Sequence, residues 1–296
     1  MEYYRDYSSL LAELFPGRKM QKLTVNAGFS CPNRDGTIGR GGCAYCNNRS
    51  FSPALASTGG ITAQLEAGKR FFARKYPAMR YLAYFQSYTN THGDHGRLLA
   101  LYREALSVEG VDGLIIGTRP DCVPQSLLEE IAGLQAPVLL EYGAESSHDQ
   151  TLKRVNRCHT WAQTVDAVRR SAALGFHTGL HFIMGLPGDT REMMLETVRK
   201  ACALPVSSLK FHQLQLIKDT PLERERPTDM TLFQVDDYLD LCVDIIDIVN
   251  SEAPGTAIER FTSSAPADML VAPRWGLKNY QFTNLLKNRL AARQAH

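Results

Sequence analysis

The sequence predicts an α/β fold, a partial (βα)6 TIM-like barrel with a short C-terminal strand and helix extension. Short apolar runs alternate with amphipathic helical stretches along most of the chain. Several of these runs are almost continuously apolar, which is typical of parallel strands buried on both faces. The 296 residues, 44% of them apolar and 22% charged, are enough for a large hydrophobic core.

Six apolar runs are the predicted strands, and they cover residues 22–26, 80–85, 113–117, 137–142, 177–184 and 208–216. A helical stretch follows each run, so the strands are expected to join through right-handed crossovers into one parallel sheet. Eight such units would close a full barrel. Six are expected to leave it open, with a cleft at the carboxyl edge of the strands.

Polar residues at capping-box spacing predict where three helices begin. The pairs are Thr160 with Gln163, Asp189 with Glu192, and Thr231 with Gln234. Gly175 is expected to end the first helix. The second is predicted over 191–203, with Asp189 as its N-cap, and the third runs to about residue 250.

Two units are predicted along the chain. Residues 1–255 are expected to form the core partial barrel with an N-terminal extension, and residues 256–296 a basic strand and helix packed on it. No apolar run approaches the ~18–20 residues of a membrane span, and the N-terminus lacks a secretory apolar region. Seven cysteines, an odd number, argue against a disulfide framework. We therefore predict a cytoplasmic protein with reduced thiols and no membrane partner.

Charge is unevenly distributed along the chain. Residues 1–80 carry a net charge of +7 and residues 269–296 carry +5, whereas the stretch between them carries −10. This pattern predicts a positive patch where the two ends meet, which would attract an anionic partner. A solvated surface without a partner is the alternative interpretation.

Three of the cysteines are clustered directly after the first predicted strand. The segment 31–46 reads CPNRDGTIGRGGCAYC and supplies Cys31, Cys43 and Cys46. Its four glycines allow a loop to bend tightly around a bound group. Three thiolates at this spacing are able to hold an iron–sulfur cluster or to contribute to a zinc site. Zinc would need a fourth ligand, and the chain has no second Cys-x-x-Cys pair.

This segment, with an aromatic residue before its last cysteine, resembles the radical S-adenosylmethionine (SAM) superfamily. Its long internal spacing is similar to that of the YhcC/YtqA-type radical SAM proteins, relatives of the radical SAM domain of the Elongator catalytic subunit. The resemblance extends over essentially the whole chain. It implies a [4Fe-4S] cluster ligated by Cys31, Cys43 and Cys46, with one iron left open for SAM. It also implies reductive cleavage of SAM to a 5′-deoxyadenosyl radical.

The resemblance further implies which residues contact SAM: Tyr45, Gln86, Ser87, Glu141, Glu145, Arg157, Met184 and Gln213. Tyr45 would pack near the adenine or serve only the core, and the turn at Gln86 and Ser87 would accept hydrogen bonds from the ammonium group. Glu141 is favoured for the ribose hydroxyls, with Glu145 as the alternative.

For the other three residues the implied roles are less specific. Arg157 would pair with the SAM carboxylate or remain a solvated cation. Met184 begins a glycine-rich stretch expected to line the adenine. The role of Gln213, on the sixth strand, is undetermined.

Several other polar residues follow predicted strands. Arg119 and Asp121 are expected to form an ion pair in the cleft or a simple turn. The strand histidines are interpreted as structural more readily than as catalytic, and they are His177, His181 and His212. Cys122 and Cys158 are candidates for returning a hydrogen atom to a substrate radical, although inert thiols are the simpler interpretation.

Kinship with the Elongator subunit implies a tRNA substrate, at the C5 side chain of a wobble uridine. The basic ends would then bind phosphates, with Lys278, Lys287 and Arg289 as candidates. They are equally suited to a flavodoxin or ferredoxin electron donor. A radical SAM enzyme acting on a small metabolite is one alternative. A non-catalytic zinc-binding RNA-binding protein is another.

Overall fold

A curved sheet of seven parallel strands organises the chain. The computed structural model describes residues 3–50, 59–73 and 76–294. In sheet order the strands are β1 (Met20–Val25), β2 (Arg80–Phe85), β3 (Val111–Thr118), β4 (Val138–Glu145), β5 (His177–Met184), β6 (Ser208–Gln213) and β8 (Ala257–Arg260). The strands lie in the sheet in the same order as along the chain. The predicted α/β partial-barrel class is confirmed.

The α-helices of the described residues are α1 (Tyr7–Leu14), α2 (Pro32–Asp35), α3 (Ile61–Ala73), α4 (His95–Ser107), α5 (Gln125–Ala132), α6 (Asp149–Arg154), α7 (Trp161–Ala173), α8 (Arg191–Cys202), α9 (Pro221–Glu225), α10 (Val235–Glu252) and α11 (Asn279–Gln294). The longer helices between strands, such as α4 and α7, cover the outer face of the sheet. Outward strand residues such as Leu114, Leu140 and Phe182 pack beneath them in the main core. Burial of this apolar layer is the main stabilising term.

The N-terminal segment closes the bottom of the barrel. Leu10 of α1 and the following Phe15 pack against inward residues of the strands, among them Leu82 and Leu139. The opposite end, where the strands finish, stays open. The fold therefore leaves a cavity with an apolar floor and a mouth at the carboxyl edge of the sheet.

Most predicted strands match, and the differences lie at their ends. β2 and β5 have the predicted bounds, whereas β3 and β4 are longer than predicted. The sixth run splits into β6 and a short β7 (Leu216–Ile217), which pairs antiparallel with β9 (Leu270–Ala272). The chain therefore leaves the main sheet between Gln213 and Leu216.

The C-terminal extension belongs partly to the sheet itself. β8 pairs parallel with β6, and Ile258 forms an isolated bridge with Asp6 near the N-terminus. On the other edge strand, the Lys22 ammonium lies 3.0 Å from the Glu259 carboxylate. The division of the chain into two units at residue 256 stays a prediction. β8, which follows this position, is an edge strand of the main sheet.

The structure confirms one predicted helix start and corrects two. Thr160 and Gln163 form a complete capping box on α7. The N-cap of α8 is Thr190 rather than Asp189, whose buried carboxylate accepts a hydrogen bond from Thr151. α10 begins at Val235 without a side-chain cap.

The acidic middle and the basic C-terminus partly neutralise each other. Arg289 of α11 reaches Asp236 at 2.6 Å and Asp240 at 2.5 Å on α10, and Arg293 reaches Asp247 at 2.7 Å. A role for Arg289 in binding phosphates therefore stays a prediction, and these ion pairs compete with it.

Over residues 3–50, 59–73 and 76–294, none of the helices combines the length and the apolar character needed to cross a lipid bilayer.

Candidate functional site

An open cavity of ≈ 1200 Å³, counting the solvent in its mouth, lies at the carboxyl ends of the strands. Its lining includes Cys31, Cys43 and Cys46, together with Tyr45, Gln86, Glu141, Glu145 and Arg157. All three predicted cluster ligands thus face one space with five of the predicted SAM contacts. Active sites of α/β barrels occupy the same position relative to the strands.

The cysteine loop is shaped by Asn33. Cys31 precedes the single turn of α2, and the fully buried Asn33 side chain donates to the carbonyl of Asn156. Gly42 donates its backbone N–H to the Asn33 carbonyl at 2.8 Å. At Gly39, a Cβ would lie only 2.2 Å from Asn33 Oδ1, so this position tolerates no side chain. The glycines of the loop therefore allow its backbone to pack closely around the side-chain amide of Asn33.

The donor set fits an iron–sulfur cluster better than a single ion. No group of three His, Cys, Asp or Glu side chains in the described ranges converges tightly enough to hold one metal ion. A four-iron cluster binds each thiolate on a different iron, so its ligands need not meet at one point. This geometry gives no support to the zinc alternative.

The thiols lie in surroundings where a nearby cation is needed to stabilise their ionised form. Burial, with Cys43 beside it, raises the pKa of Cys46 to about 12. Neutral thiols bind iron poorly, so metal binding must displace these protons. Arg157 Nη1 lies 3.6 Å from Cys43 Sγ, and Arg34 donates to the Cys46 carbonyl at 2.7 Å. Both cations are placed to stabilise thiolates.

Arg157 and Glu145 form a buried polar pair next to the cysteines. Their closest atoms lie 3.5 Å apart, and Arg157 also donates to the Gly143 carbonyl. Glu145 ends β4 with a φ of 70°, and burial raises the pKa of its carboxyl group. Arg157 Nε is buried and has no hydrogen-bond partner among the described residues. Strain and an unsatisfied donor at one place are typical of a ligand site.

Arg119 and Asp121 form the expected ion pair. Two hydrogen bonds of 2.9 and 2.8 Å join the guanidinium to the carboxylate, and both side chains are almost fully buried. Arg119 also donates to the Arg157 carbonyl at 2.8 Å. The pair therefore supports the loop that carries Arg157.

Glu141 belongs to a network of buried charges below the cysteines. It lies within β4 rather than at its end, 2.8 Å from Lys22 and 3.1 Å from Lys210. Tyr84 donates a hydrogen bond of 2.6 Å to the same carboxylate. Lys22 and Lys210 also bind Glu259, at 3.0 and 3.1 Å. Although burial opposes ionisation, the two lysines hold the pKa of Glu141 well below its usual range.

This network was missed in the sequence analysis, apart from Glu141. The sequence contains an indication of it, because Lys210 and Glu259 are charged residues within stretches whose apolar pattern is typical of buried strands. A charge in a strand buried on both faces requires a partner of opposite sign.

Three of the predicted SAM contacts have side chains outside the cavity lining, namely Ser87, Met184 and Gln213. Each follows a residue that does line the cavity, and successive side chains of an extended segment point to opposite faces. Met184 packs in the main core instead, and Gln213 accepts from the Ser263 N–H at 3.3 Å. Contact of SAM with these three residues, by backbone atoms in particular, stays a prediction.

Two of the strand histidines line the cavity. The rings of His181 and His212 lie 4.7 Å apart. Burial, followed by neighbouring cations, lowers the pKa of His181, and burial lowers that of His212 to about 3. His212 Nδ1 is 2.8 Å from the Gln213 carbonyl, so this nitrogen carries the proton. Both rings are neutral near pH 7. His177 lies outside the lining, near Ser207.

The two candidate thiols differ in surroundings. Burial raises the pKa of Cys122 to about 12, which is the behaviour of an inert thiol. Cys158 lies behind the cysteine loop, where its thiol donates to Asn33 Oδ1 at 3.2 Å. Neither lines the cavity, so a role for either in hydrogen transfer stays a prediction.

Comparison with known proteins gives consistent matches. Residues 33–201 match the family model described as the radical SAM superfamily, and residues 206–292 match that of the radical SAM C-terminal domain. Protein YhcC of Escherichia coli (strain K12) is 35% identical over 263 residues, covering 88% of this chain and 83% of that protein. The uncharacterized protein YtqA of Bacillus subtilis (strain 168) is 30% identical over 284 residues, covering 95% and 87%.

A solved structure agrees in fold. The archaeal Methanocaldococcus infernus Elp3 with an N-terminal deletion superposes with a TM-score of 0.67 at 17% identity, over 94% of this chain. This chain spans 64% of the Elp3 structure's length. From the two family matches and the two relatives, we conclude that the chain belongs to the radical SAM superfamily of enzymes, which use a [4Fe-4S] cluster, SAM and an electron donor.

Proposed function

We propose that Cys31, Cys43 and Cys46 hold one four-iron cluster, and that the cavity above it binds SAM and a substrate. The observation that carries this proposal is that these three are the only described cysteines lining the cavity, which leaves one corner of a cluster without a thiolate. When bound, the cluster supplies the electron that cleaves the C–S bond of SAM.

The chain's own residues bind and orient SAM. Arg157, with its unsatisfied Nε, is suited to the SAM carboxylate. Between the two carboxylates considered for the ribose, Glu145 is the better candidate, since Glu141 is already bound by two lysines and a tyrosine. The buried, aromatic Tyr45 supplies a flat apolar surface next to the cysteines for a planar ring.

The direct test is SAM cleavage by the anaerobically reconstituted protein. With a reductant, the wild type is expected to form 5′-deoxyadenosine, and Cys43→Ala is expected to lose iron and this activity. Cys202→Ala is the matched control, because this thiol lies on α8 away from the cavity. Equal product from wild type and Cys43→Ala would refute the proposal.

For the substrate, we propose the C5 side chain of a wobble uridine in tRNA. Residues 118–121 read TRPD and residues 141–146 read EYGAES, and they resemble the Thr-Arg-Pro-Asp and Glu-Leu-Gly-x-Gln-Ser segments of the Elongator relatives, which supports this choice. The segment that carries the cysteines also contains Arg40, and Arg49 follows it closely; both are exposed and make no ion pair with a described residue. Exposed cations of this kind are suited to phosphates.

The substrate proposal is tested by comparing tRNA nucleosides from cells with and without the gene. A wobble uridine that changes in mass at C5 would support it. Unchanged tRNA nucleosides, together with active SAM cleavage, would instead indicate a small metabolite.

We further propose a flavodoxin-type or ferredoxin-type protein as the electron donor. Such donors are acidic and would dock on the same exposed arginines. Competition between tRNA and the reduced donor for the protein, measured at low salt, would support shared use of this surface. Independent binding of the two would contradict it.

A further inference from the structure

A bulge in β8 turns two consecutive charged residues towards the barrel interior. Leu209 of β6 pairs with Ile258, and Lys210 pairs with Arg260, so Glu259 and Arg260 together oppose one residue. Bulges of this kind re-aim side chains and are frequent beside active sites. Glu259 reaches Lys22 and Lys210, while Arg260 lines the cavity.

In the barrel interior around Glu259 and Arg260, positive side chains outnumber negative ones. Three cations, Lys22, Lys210 and Arg260, face the two carboxylates Glu141 and Glu259. Both carboxylates are bound by the two lysines. No described acid lies within 4.0 Å of the Arg260 guanidinium, and its Nε is buried without a hydrogen-bond partner. Arg260 is half-buried and lines the cavity, so its charge is available to a ligand there.

The side chains around Arg260 favour an anion. His181 Nε2 is also buried and lacks a partner within the described part of the chain. Arg260 and Lys210 both lower the pKa of His181 and His212, in addition to the effect of burial. This wall of the cavity is therefore positively charged and offers unsatisfied nitrogen atoms.

The loop after β8 is fixed in place. Gln215 donates to the Ser263 carbonyl at 3.0 Å, and the Ser263 N–H donates to Gln213 at 3.3 Å. These bonds tie the segment following Arg260 to the end of β6. A preorganised cation loses less entropy when it binds a ligand.

We propose that Arg260, together with His181, binds an anionic group of the substrate, either a carboxylate or a phosphate. This inference deepens the proposed function and rests on it for the identity of the occupant. The site differs from that of Arg157, which lies beside Cys43 rather than beside the histidines. A guanidinium fork matches both carboxylate and phosphate oxygens.

Thermal unfolding of the cluster-loaded, SAM-saturated protein tests the proposal. Because SAM fills its own site at saturation, the added anions do not bind where the SAM carboxylate binds. Acetate, inorganic phosphate and neutral acetamide are added at constant ionic strength. An anion at ten times its dissociation constant is expected to raise the Tm of the wild type by about 3 °C. Acetamide is expected to have no such effect.

Variants separate the site from general effects of anions. Arg260→Met is expected to abolish the rise in Tm, and Arg260→Lys to retain part of it. Arg103→Met, which removes an exposed arginine of α4, is expected to behave as wild type. A larger effect of acetate would assign a carboxylate, and a larger effect of phosphate would assign a phosphate. Equal shifts in wild type and Arg260→Met would overturn the proposal.

The outcome is independent of the tRNA experiment. An Arg260-dependent shift, together with unchanged tRNA nucleosides, would leave the anion site standing and reject tRNA as the substrate. Changed tRNA nucleosides without such a shift would reject the anion site alone.

Discussion

At the scale of single residues, the buried carboxylate of Glu141 is the clearest test of how the barrel interior is stabilised. Glu141→Gln keeps the shape of the side chain but leaves Lys22 and Lys210 with one carboxylate between them. Breaking a buried ion pair costs about 3–5 kcal/mol. Urea unfolding should show a loss of this size. Glu130→Gln, which removes an exposed partner of His95, should cost less than about 1 kcal/mol. Equal losses would contradict the account.

The absence of a side chain at Gly143 leaves the space that Arg157 and Glu145 occupy. A Cβ at this position would lie 2.6 Å from Glu145 Oε1 and 2.7 Å from Arg157 Nη2. Gly143→Ala should therefore displace the pair and weaken SAM binding by about tenfold, the loss of one charge-assisted hydrogen bond. Equilibrium dialysis of SAM against the loaded protein measures this. Gly255→Ala, where a Cβ meets open space, should leave SAM affinity unchanged.

Residue-level inference from the sequence was most specific where a motif carried it. Cys31, Cys43 and Cys46 form a pattern in the sequence, and the structure brings them to one cavity. Met184 and Gln213 lie outside the lining because a single position along a strand decides which face a side chain occupies. The partners of Lys210 come from three different strands, and no local pattern in the sequence reveals such long-range pairs.

At the scale of elements, the cysteine loop depends on Asn33. Asn33→Ala removes the hydrogen bonds to Asn156 and Cys158 and leaves a buried gap. We expect the loop to loosen and the iron content after reconstitution to fall below that of wild type. Asn250→Ala, which removes one exposed hydrogen bond to Tyr3, is the control and should keep full iron content. Full iron content in both variants would show that the loop is held by other contacts.

Elements with a strong apolar pattern were predicted with correct bounds, as β2 and β5 illustrate. Element ends were less predictable. Thr190, rather than the adjacent Asp189, caps α8, because a tertiary hydrogen bond from Thr151 occupies the aspartate. Two neighbouring residues were both chemically capable of capping, and only the tertiary structure distinguishes them.

At the scale of the whole molecule, exposed and paired arginines should differ in their effect on tRNA binding. Replacing Arg40 and Arg49 together by Gln is expected to weaken tRNA binding and to lower the slope of log K against log salt by about 2. Arg289→Gln should change neither, since Asp236 and Asp240 already neutralise this side chain. Filter binding across a salt series measures both. A larger effect of Arg289→Gln would indicate that the C-terminal helix is the contact.

The buried histidines should make the fold sensitive to acid. Burial lowers the pKa of His212 to about 3, whereas in the unfolded chain it is about 6.5. Between these values the unfolded state binds a proton that the folded state does not, so stability falls as pH falls. The slope is about 1.4 kcal/mol per pH unit for each such group. His212→Gln should reduce the pH dependence of the unfolding free energy between pH 5.5 and 4.5 by about that amount. An unchanged dependence would show that His212 titrates in the folded protein as it does in the unfolded chain.

The central claim is that three cysteines hold a cluster with one corner open to SAM. Electron paramagnetic resonance of the dithionite-reduced, anaerobically loaded protein tests it most directly, alongside iron and sulfide analysis. The account predicts about four iron and four sulfide per chain, and a spectrum that changes when SAM is added. A spectrum that stays the same at saturating SAM, or a protein that binds no iron and sulfide, would contradict it.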